Sequence, residues 1–300
     1  MLKKLGKSLF HQKSPVYLGI NIVGYLLGLT VFYYDSFFDL QTGYVVPIFH
    51  NIFVPALIFL VFLTKLLCIM VNPGYISQEN CRQYTNQYNY DHQLFYPTRC
   101  RTCHFQKPAR SKHDRFTNKC IARYDHYCTF LMKPIGLLNY RYYLLYLFFS
   151  LIMHCYSSFF HLLLLTDRVY QQDLVNDSDF YTSALSQKLK LFFLITFKCK
   201  WTITILFLSS YLVTIFSWLL IKHFFFLLNN ETENEKLKYE KLLKDTSYRK
   251  EVFQIRNSLK IKTKLNFQTN QYFYKKKFFQ NLREVFFPFL AKNRKSKKQK

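Results

Sequence analysis

The sequence predicts an all-α polytopic membrane protein. It has four transmembrane helices, with a small hydrophilic, cysteine-bearing domain between the second and the third. Three observations carry that prediction. The apolar residues of the 300-residue chain gather into four long runs and are not spread as in a soluble core. The 42 Lys and Arg, against 17 Asp and Glu, fall unevenly on the segments joining those runs. Four of the eight cysteines lie within Cys100–Cys128, in the hydrophilic block between the second and third runs.

Residues 1–14 form a basic arm, with Lys3, Lys4, Lys7 and Lys13 and no acid. Residues 15–34 are apolar and, at about 1.5 Å per residue, long enough to cross a bilayer. A cleaved signal peptide fits less well, because the run is too long and no small-residue cleavage site follows it. Residues 35–47 carry Asp35 and Asp39 and no basic residue. The second run, 48–71, holds Lys65 near its end, where a lysine stem snorkels to the interface, and stops at Asn72-Pro73-Gly74. The hydrophilic block is 72–141 and the third run 142–165, in which His154 and His161 read as packed, hydrogen-bonded histidines and not as ligands. A polar loop, 166–200, precedes the fourth run, 201–228. The basic tail is 229–300, with a mixed-charge helix expected over Glu231–Lys250. Its aromatic and basic stretch Tyr272–Leu290 suits an anionic leaflet, at about 1 kcal/mol per basic residue near the surface. A solvated basic tail is the competing reading for the last residues.

Charge sets the orientation. Four Lys and Arg lie in 1–14, eleven in 72–141 and twenty-one in 222–300; there are none in 35–47 and five, against four acids, in 166–200. The positive-inside rule puts both termini and the central block in the cytosol. The sequon Asn176-Asp177-Ser178 then faces the lumen. In a soluble chain a net charge of +25 would suggest nucleic acid. Here topology accounts for it and the block offers no recognition helix, so no nucleic acid is expected.

The clustered cysteines of a cytosolic block point to metal or catalysis, not to disulfides. Cys100, Cys103, His113 and Cys120 supply three sulfurs and one imidazole, a tetrahedral set for one structural zinc. Cys128 stands outside that set, two residues after His126. In an extended segment these two side chains face one side, and Tyr127 the other. His126 then takes the thiol proton, and Asp125 orients the ring and stabilises its charged form. A thiolate so formed attacks thioesters.

With these residues in place, the block resembles the cysteine-rich domain of the DHHC-type protein S-acyltransferases. The run Lys107–His113, the tetrad Asp125-His126-Tyr127-Cys128, Gly136 and Asn139 fall in that family's register. Asn72-Pro73-Gly74 resembles its Asp-Pro-Gly motif, and Asn281–Phe286 its carboxy-terminal aromatic motif. The segment Tyr90–Pro97 is similar to a fungal branch, the spore-wall-formation palmitoyltransferases of the endoplasmic reticulum, which act on SNAREs. The resemblance implies palmitoyl-CoA as co-substrate, loading of Cys128, and passage of the chain to juxtamembrane cysteines of membrane proteins. It also implies an apolar cavity among the transmembrane helices for the acyl chain, at about 0.8 kcal/mol per buried CH₂. The terminal pair Lys297-Lys298 is similar to a dilysine retrieval signal and agrees with an endoplasmic-reticulum location.

The departures matter too. The family has a second zinc site, whose four ligand positions hold Asp114, Thr117, Tyr127 and Pro134 here, so one zinc is expected. Thr129-Phe130 replaces Pro-Trp. The family's Thr-Thr-x-Glu motif has its nearest match at Thr232-Glu233-Asn234-Glu235. One register puts Glu233, and the other Thr232, where a threonine supports the catalytic aspartate. These losses also fit a catalytically decayed scaffold that binds partners; the intact Asp125, His126 and Cys128 favour the enzyme.

Overall fold

The structure, a computed structural model, describes residues 19, 23–24, 27–28, 30–37, 47–171, 185–259 and 273–288. The expected first span therefore lies largely outside the described residues, as do the sequon at Asn176 and the pair Lys297-Lys298. In chain order the elements are a π-turn (Tyr33–Phe37), α1 (Pro47–Met70), β1 (Tyr75–Ile76), α2 (Cys81–Thr85), β2 (Lys112–Asp114), β3 (Lys119–Ile121), β4 (His126–Cys128) and β5 (Lys133–Ile135). There follow α3 (Tyr140–Gln171), α4 (Leu185–Lys198), α5 (Lys200–Asn229), α6 (Glu233–Lys244), α7 (Thr246–Ser258) and α8 (Phe278–Phe286).

Among the described residues three helices are long and apolar enough to cross a bilayer: α1 over Asn51–Met70, α3 over Tyr140–Tyr170, and α5. Phe59, Phe62, Phe159 and Phe207 stay exposed on them, as side chains facing lipid do. The segment 166–200, expected as a polar loop, is partly helical instead. Its apolar stretch is too short to span and carries no strong break, so it folds as α4 directly before α5.

The chain divides into two compact units. One comprises residues 1–63 and 146–220. Several of its polar groups pair with one another, as apolar surroundings favour. Arg168 pairs with Asp35 at 3.0 Å, and Thr202 donates to the same carboxylate at 3.0 Å. His161 sits between the Ser157 carbonyl at 2.7 Å and Ser36 Oγ at 3.0 Å, and His154 stacks on Phe216.

The other unit comprises 64–145 and 221–300 and contains the cysteine-bearing block. Here the all-α expectation needs correcting: the block is built on five short strands. Antiparallel β1, β3 and β2 form one sheet, and β4 with β5 a hairpin. Strands of two or three residues are too short to show a period-two pattern in sequence.

Asn72 ends α1, its Oδ1 accepting from the Gly74 and Tyr75 amides at 2.9 and 2.8 Å, while Gly74 takes φ +102°. The Gly74 carbonyl then accepts from Ala122, and the Ala122 carbonyl from Leu137. Gly136 is packed so closely that a Cβ would lie 2.5 Å from the Pro73 carbonyl oxygen. Asn139, fully buried, accepts from the Gly136 amide and donates to the carbonyls of Cys68 and Pro134. The end of α1 and the start of α3 thereby fix the ends of β3 and β5.

Candidate active site

The β2–β3 pairing sets His113 opposite Cys120. The turn carrying Cys100 and Cys103 closes through Cys100 N–H to the Phe105 carbonyl and His104 N–H to the Cys100 carbonyl, with His104 at φ +59°. His113 Nδ1 then lies 3.5, 3.3 and 3.8 Å from the sulfurs of Cys100, Cys103 and Cys120. Ligands 2.0–2.3 Å from a tetrahedral centre are separated by about 3.5 Å, so this donor set is compatible with zinc. Burial, then the hydrogen bond and charge of Cys100, push the Cys120 thiol well up. A dication would relieve that crowding.

The positions that replace the second ligand set hold together without metal donors. Asp114 Oδ2 accepts from Thr117 N at 2.8 Å and Oγ1 at 2.7 Å. Tyr127 pairs with Pro134 across the hairpin and packs its ring 4.4 Å from Phe116. Hydrogen bonds and an aromatic contact thus join the loops that carry these positions.

β4 carries His126 and Cys128 on one side of the hairpin, opposite Ile135 and Lys133. Asp125 Oδ2 lies 2.7 Å from His126 Nδ1. Cys128 follows two residues later on the same strand, near enough for its charge to favour the protonated ring. Burial alone would push the His126 imidazole down, but its bond to Asp125 and the charges of Asp125 and Cys128 raise it to about 10. Burial would likewise push Asp125 up, yet His126, the charge of His223 and the Glu233 amide hold it at about 2. The three side chains can therefore hold a proton on the ring beside a sulfur.

The register of the tail is resolved by capping. Thr232 caps α6: its hydroxyl accepts from Glu235 N–H at 3.2 Å, and Glu235 Oε2 accepts from Thr232 N–H at 2.8 Å. That leaves Glu233 N–H free to donate to Asp125 Oδ1 at 2.9 Å. Glu233, not Thr232, stands at the aspartate, and it acts through its backbone at a helix N-terminus. Its carboxylate also comes close to His126. Oε2 is 3.8 Å from His126 Nδ1, while Oε1 pairs with Lys222 Nζ at 2.7 Å.

His223 and Tyr143 are contributors that no sequence motif marked, while Arg110, Asn281 and Glu284 lie in stretches already singled out but take roles legible only in the fold. His223, from α5, packs 5.9 Å from the His126 ring and hydrogen-bonds Tyr140, while Tyr143 sets its ring 5.1 Å from His126. Arg110, fully buried, grips Glu235 at 2.6 and 2.8 Å and so anchors α6. Asn281 and Glu284 of α8 are buried as well: Asn281 donates to the Leu228 carbonyl, and Glu284 accepts from Tyr88 and Asn230.

Residues 94–240 match the model of the DHHC palmitoyltransferase family. This stretch is similar to a DHHC palmitoyltransferase domain. It covers Cys100, Cys103, His113, Cys120, the tetrad and the start of α6. The chain is 44% identical to palmitoyltransferase SWF1 of Yarrowia lipolytica over 93 residues, 31% of this chain and 24% of that protein. It is 27% identical to palmitoyltransferase swf1 of Schizosaccharomyces pombe over 149 residues, 49% of this chain and 40% of that protein. It is 33% identical to palmitoyltransferase ZDHHC4 of Rattus norvegicus over 141 residues, 46% of this chain and 40% of that protein. The matched stretches thus span no more than 40% of these three relatives' lengths.

One prediction concerns acid. Asp125 and Glu284 are both held near 2, from ordinary values of 3.8 and 4.5; for Glu284 burial is outweighed by the charges of Arg110, Arg123 and Lys276. Depressed carboxylates contribute stability that is complete above the ordinary values and is lost as pH falls toward the folded ones. The melting temperature of the detergent-purified chain is expected to hold down to about pH 5 and to fall steadily below it. Glu284→Gln should flatten that fall; an unchanged acid profile in this variant would contradict the account.

Proposed function

We propose that this chain is a protein S-acyltransferase with Cys128 as nucleophile and His126 and Asp125 as its base and orienting partner. The observation that carries the reading is His126, bonded to Asp125 at 2.7 Å, on the same strand and side as Cys128. The Cys128 thiol gives its proton to His126, and the sulfur attacks the carbonyl carbon of palmitoyl-CoA. The C–S bond to CoA breaks, the ring proton goes to the CoA thiolate, and an acyl-Cys128 thioester remains. A substrate cysteine then attacks that thioester, and its proton returns through His126 to the Cys128 sulfur. Thioester is exchanged for thioester at each step, so neither step needs an energy source.

Cys100, Cys103, His113 and Cys120 hold one structural zinc in this reading, and the zinc fixes the β2–β3 sheet from which the tetrad follows. After gel filtration in metal-free buffer, elemental analysis should return one zinc per chain; two retained zincs would overturn the single-site account. The acyl chain lies in the bilayer among the helices. Both termini and the central block face the cytosol, in the endoplasmic-reticulum membrane, and the substrates are SNARE-like membrane proteins with juxtamembrane cysteines. The apolar helices support the membrane placement, and the basic segments support the cytosolic orientation. Lys297→Ser with Lys298→Ser tests the location: the tagged double variant should move on to later membranes.

Incubation of the purified chain with a clickable palmitoyl-CoA analogue tests the chemistry. Hydroxylamine-sensitive label is expected on the wild type and not on Cys128→Ser. Label of equal intensity on Cys128→Ala would overturn the assignment. A wild type that takes no label while binding substrate proteins would instead favour the scaffold.

A further inference from the structure

Two carboxylates and two imidazoles meet at His126. One ligand atom each from Asp125, His126, His223 and Glu233 lies within 4.8 Å of all the others. His126 Nδ1 is 2.7 Å from Asp125 Oδ2 and 3.8 Å from Glu233 Oε2. His223 is independent evidence of a ligand: its ring is 1% exposed, and its Nε2 has no hydrogen-bond partner. Its Nδ1 already faces the Tyr140 hydroxyl at 3.0 Å. A buried ring nitrogen without a partner is costly, and binding to a cation would remove the cost. Lys222 Nζ contacts Glu233 Oε1 at 2.7 Å, and Glu233 Oε2 lies on the His126 side, 3.8 Å from its Nδ1.

We propose that Asp125, His126, His223 and Glu233 form a Zn2+ site, separate from the cysteine cluster, whose occupancy switches the enzyme off. Two imidazoles and two carboxylates are a four-coordinate donor set suited to zinc. The two negative charges favour a dication, and Glu233 is partly exposed, giving an entry path. A metal on His126 Nδ1 releases that nitrogen's proton to water and confines the remaining ring proton to Nε2. The ring then has no place for the thiol proton, and Asp125 no longer orients it. The inhibitory consequence rests on the acyltransferase reading; the binding does not.

The test uses the full chain in detergent with its cysteine-bound zinc retained. Zn2+ is titrated calorimetrically into Cys128→Ala protein, and in parallel into acyl-loading assays of the wild type. One further ion is expected to bind Cys128→Ala. Adding His223→Gln or Glu233→Gln should weaken that binding by roughly 100-fold, in line with loss of a ligand. In the loading assay the Zn2+ concentration for half-inhibition should rise by a similar factor in Glu233→Gln, measured against that variant's own metal-free rate. Added stoichiometric chelator should restore loading. Disappearance of the further ion in Cys128→Ala would mean that zinc sits on the thiol, and would overturn the proposal. So would an affinity unchanged by both His223→Gln and Glu233→Gln. A protein that binds the further ion as expected but never loads acyl groups would leave the site standing and remove the acyltransferase reading.

Discussion

His126→Ala is expected to slow acyl loading of Cys128 by about 10²- to 10⁴-fold, the usual contribution of a positioned base. The ring bonds Asp125 at 2.7 Å, and Asp125 and Cys128 raise its proton affinity to about 10. Without it, the thiol must ionise unaided. The variant should therefore regain rate in more alkaline buffer, where hydroxide can take the proton that the ring no longer accepts. Asp125→Asn should slow loading as well, because the ring loses the carboxylate that favours its charged form. Asparagine can still accept from the Glu233 amide that now bonds Asp125 Oδ1 at 2.9 Å, so α6 stays in place. Quench-flow labelling with a clickable acyl-CoA reads all three rates. Loading by His126→Ala at the wild-type rate and with the wild-type pH profile would remove the histidine from the mechanism.

Arg110→Met is expected to destabilise the cysteine-bearing unit by about 3–5 kcal/mol, the cost of leaving a buried partner charge alone. The guanidinium is 0% exposed. It holds Glu235 through two bonds, donates to the Asn230 side chain at 3.2 Å and backbone carbonyl at 2.7 Å, and lies 3.6 Å from Glu284. The rings of Tyr88 and Tyr274 cover it, 4.9 and 4.4 Å from its centre. Removing it strands Glu235 in a buried setting and takes away one of the cations that face Glu284. Because Glu235 completes the cap of α6, the loss also reaches the amide that supports Asp125. Arg110→Lys should recover little, since an ammonium cannot make the two-pronged bond. The melting temperature should drop by roughly 10 °C, on the order of 2–4 °C per kcal/mol for a unit of this size. Arg110→Met combined with Glu235→Met should be less damaging than the single change. A melting temperature within about 2 °C of wild type for Arg110→Met would refute the anchoring role.

Long-range partners are where the sequence stopped being readable. His223 and Glu233 reach the tetrad across chain separations of about a hundred residues, and no local pattern marks such a pair. The five strands of the block were hidden because each is two or three residues long, and α4 because its apolar stretch is too short to span. The choice between Thr232 and Glu233 at the aspartate also needed the tertiary structure. Both residues are adjacent in sequence; only the capping of α6, with Glu235 clamped by Arg110, picks one. By itself the sequence determined the apolar runs that form α1, α3 and α5, the spacing of Cys100, Cys103, His113 and Cys120, and the alternation of His126 and Cys128 along one strand. Each of those is a short-range or compositional property, carried by the covalent chain. Which distant amide, imidazole and guanidinium surround the tetrad is decided by packing, and packing is specified only once the whole unit has closed.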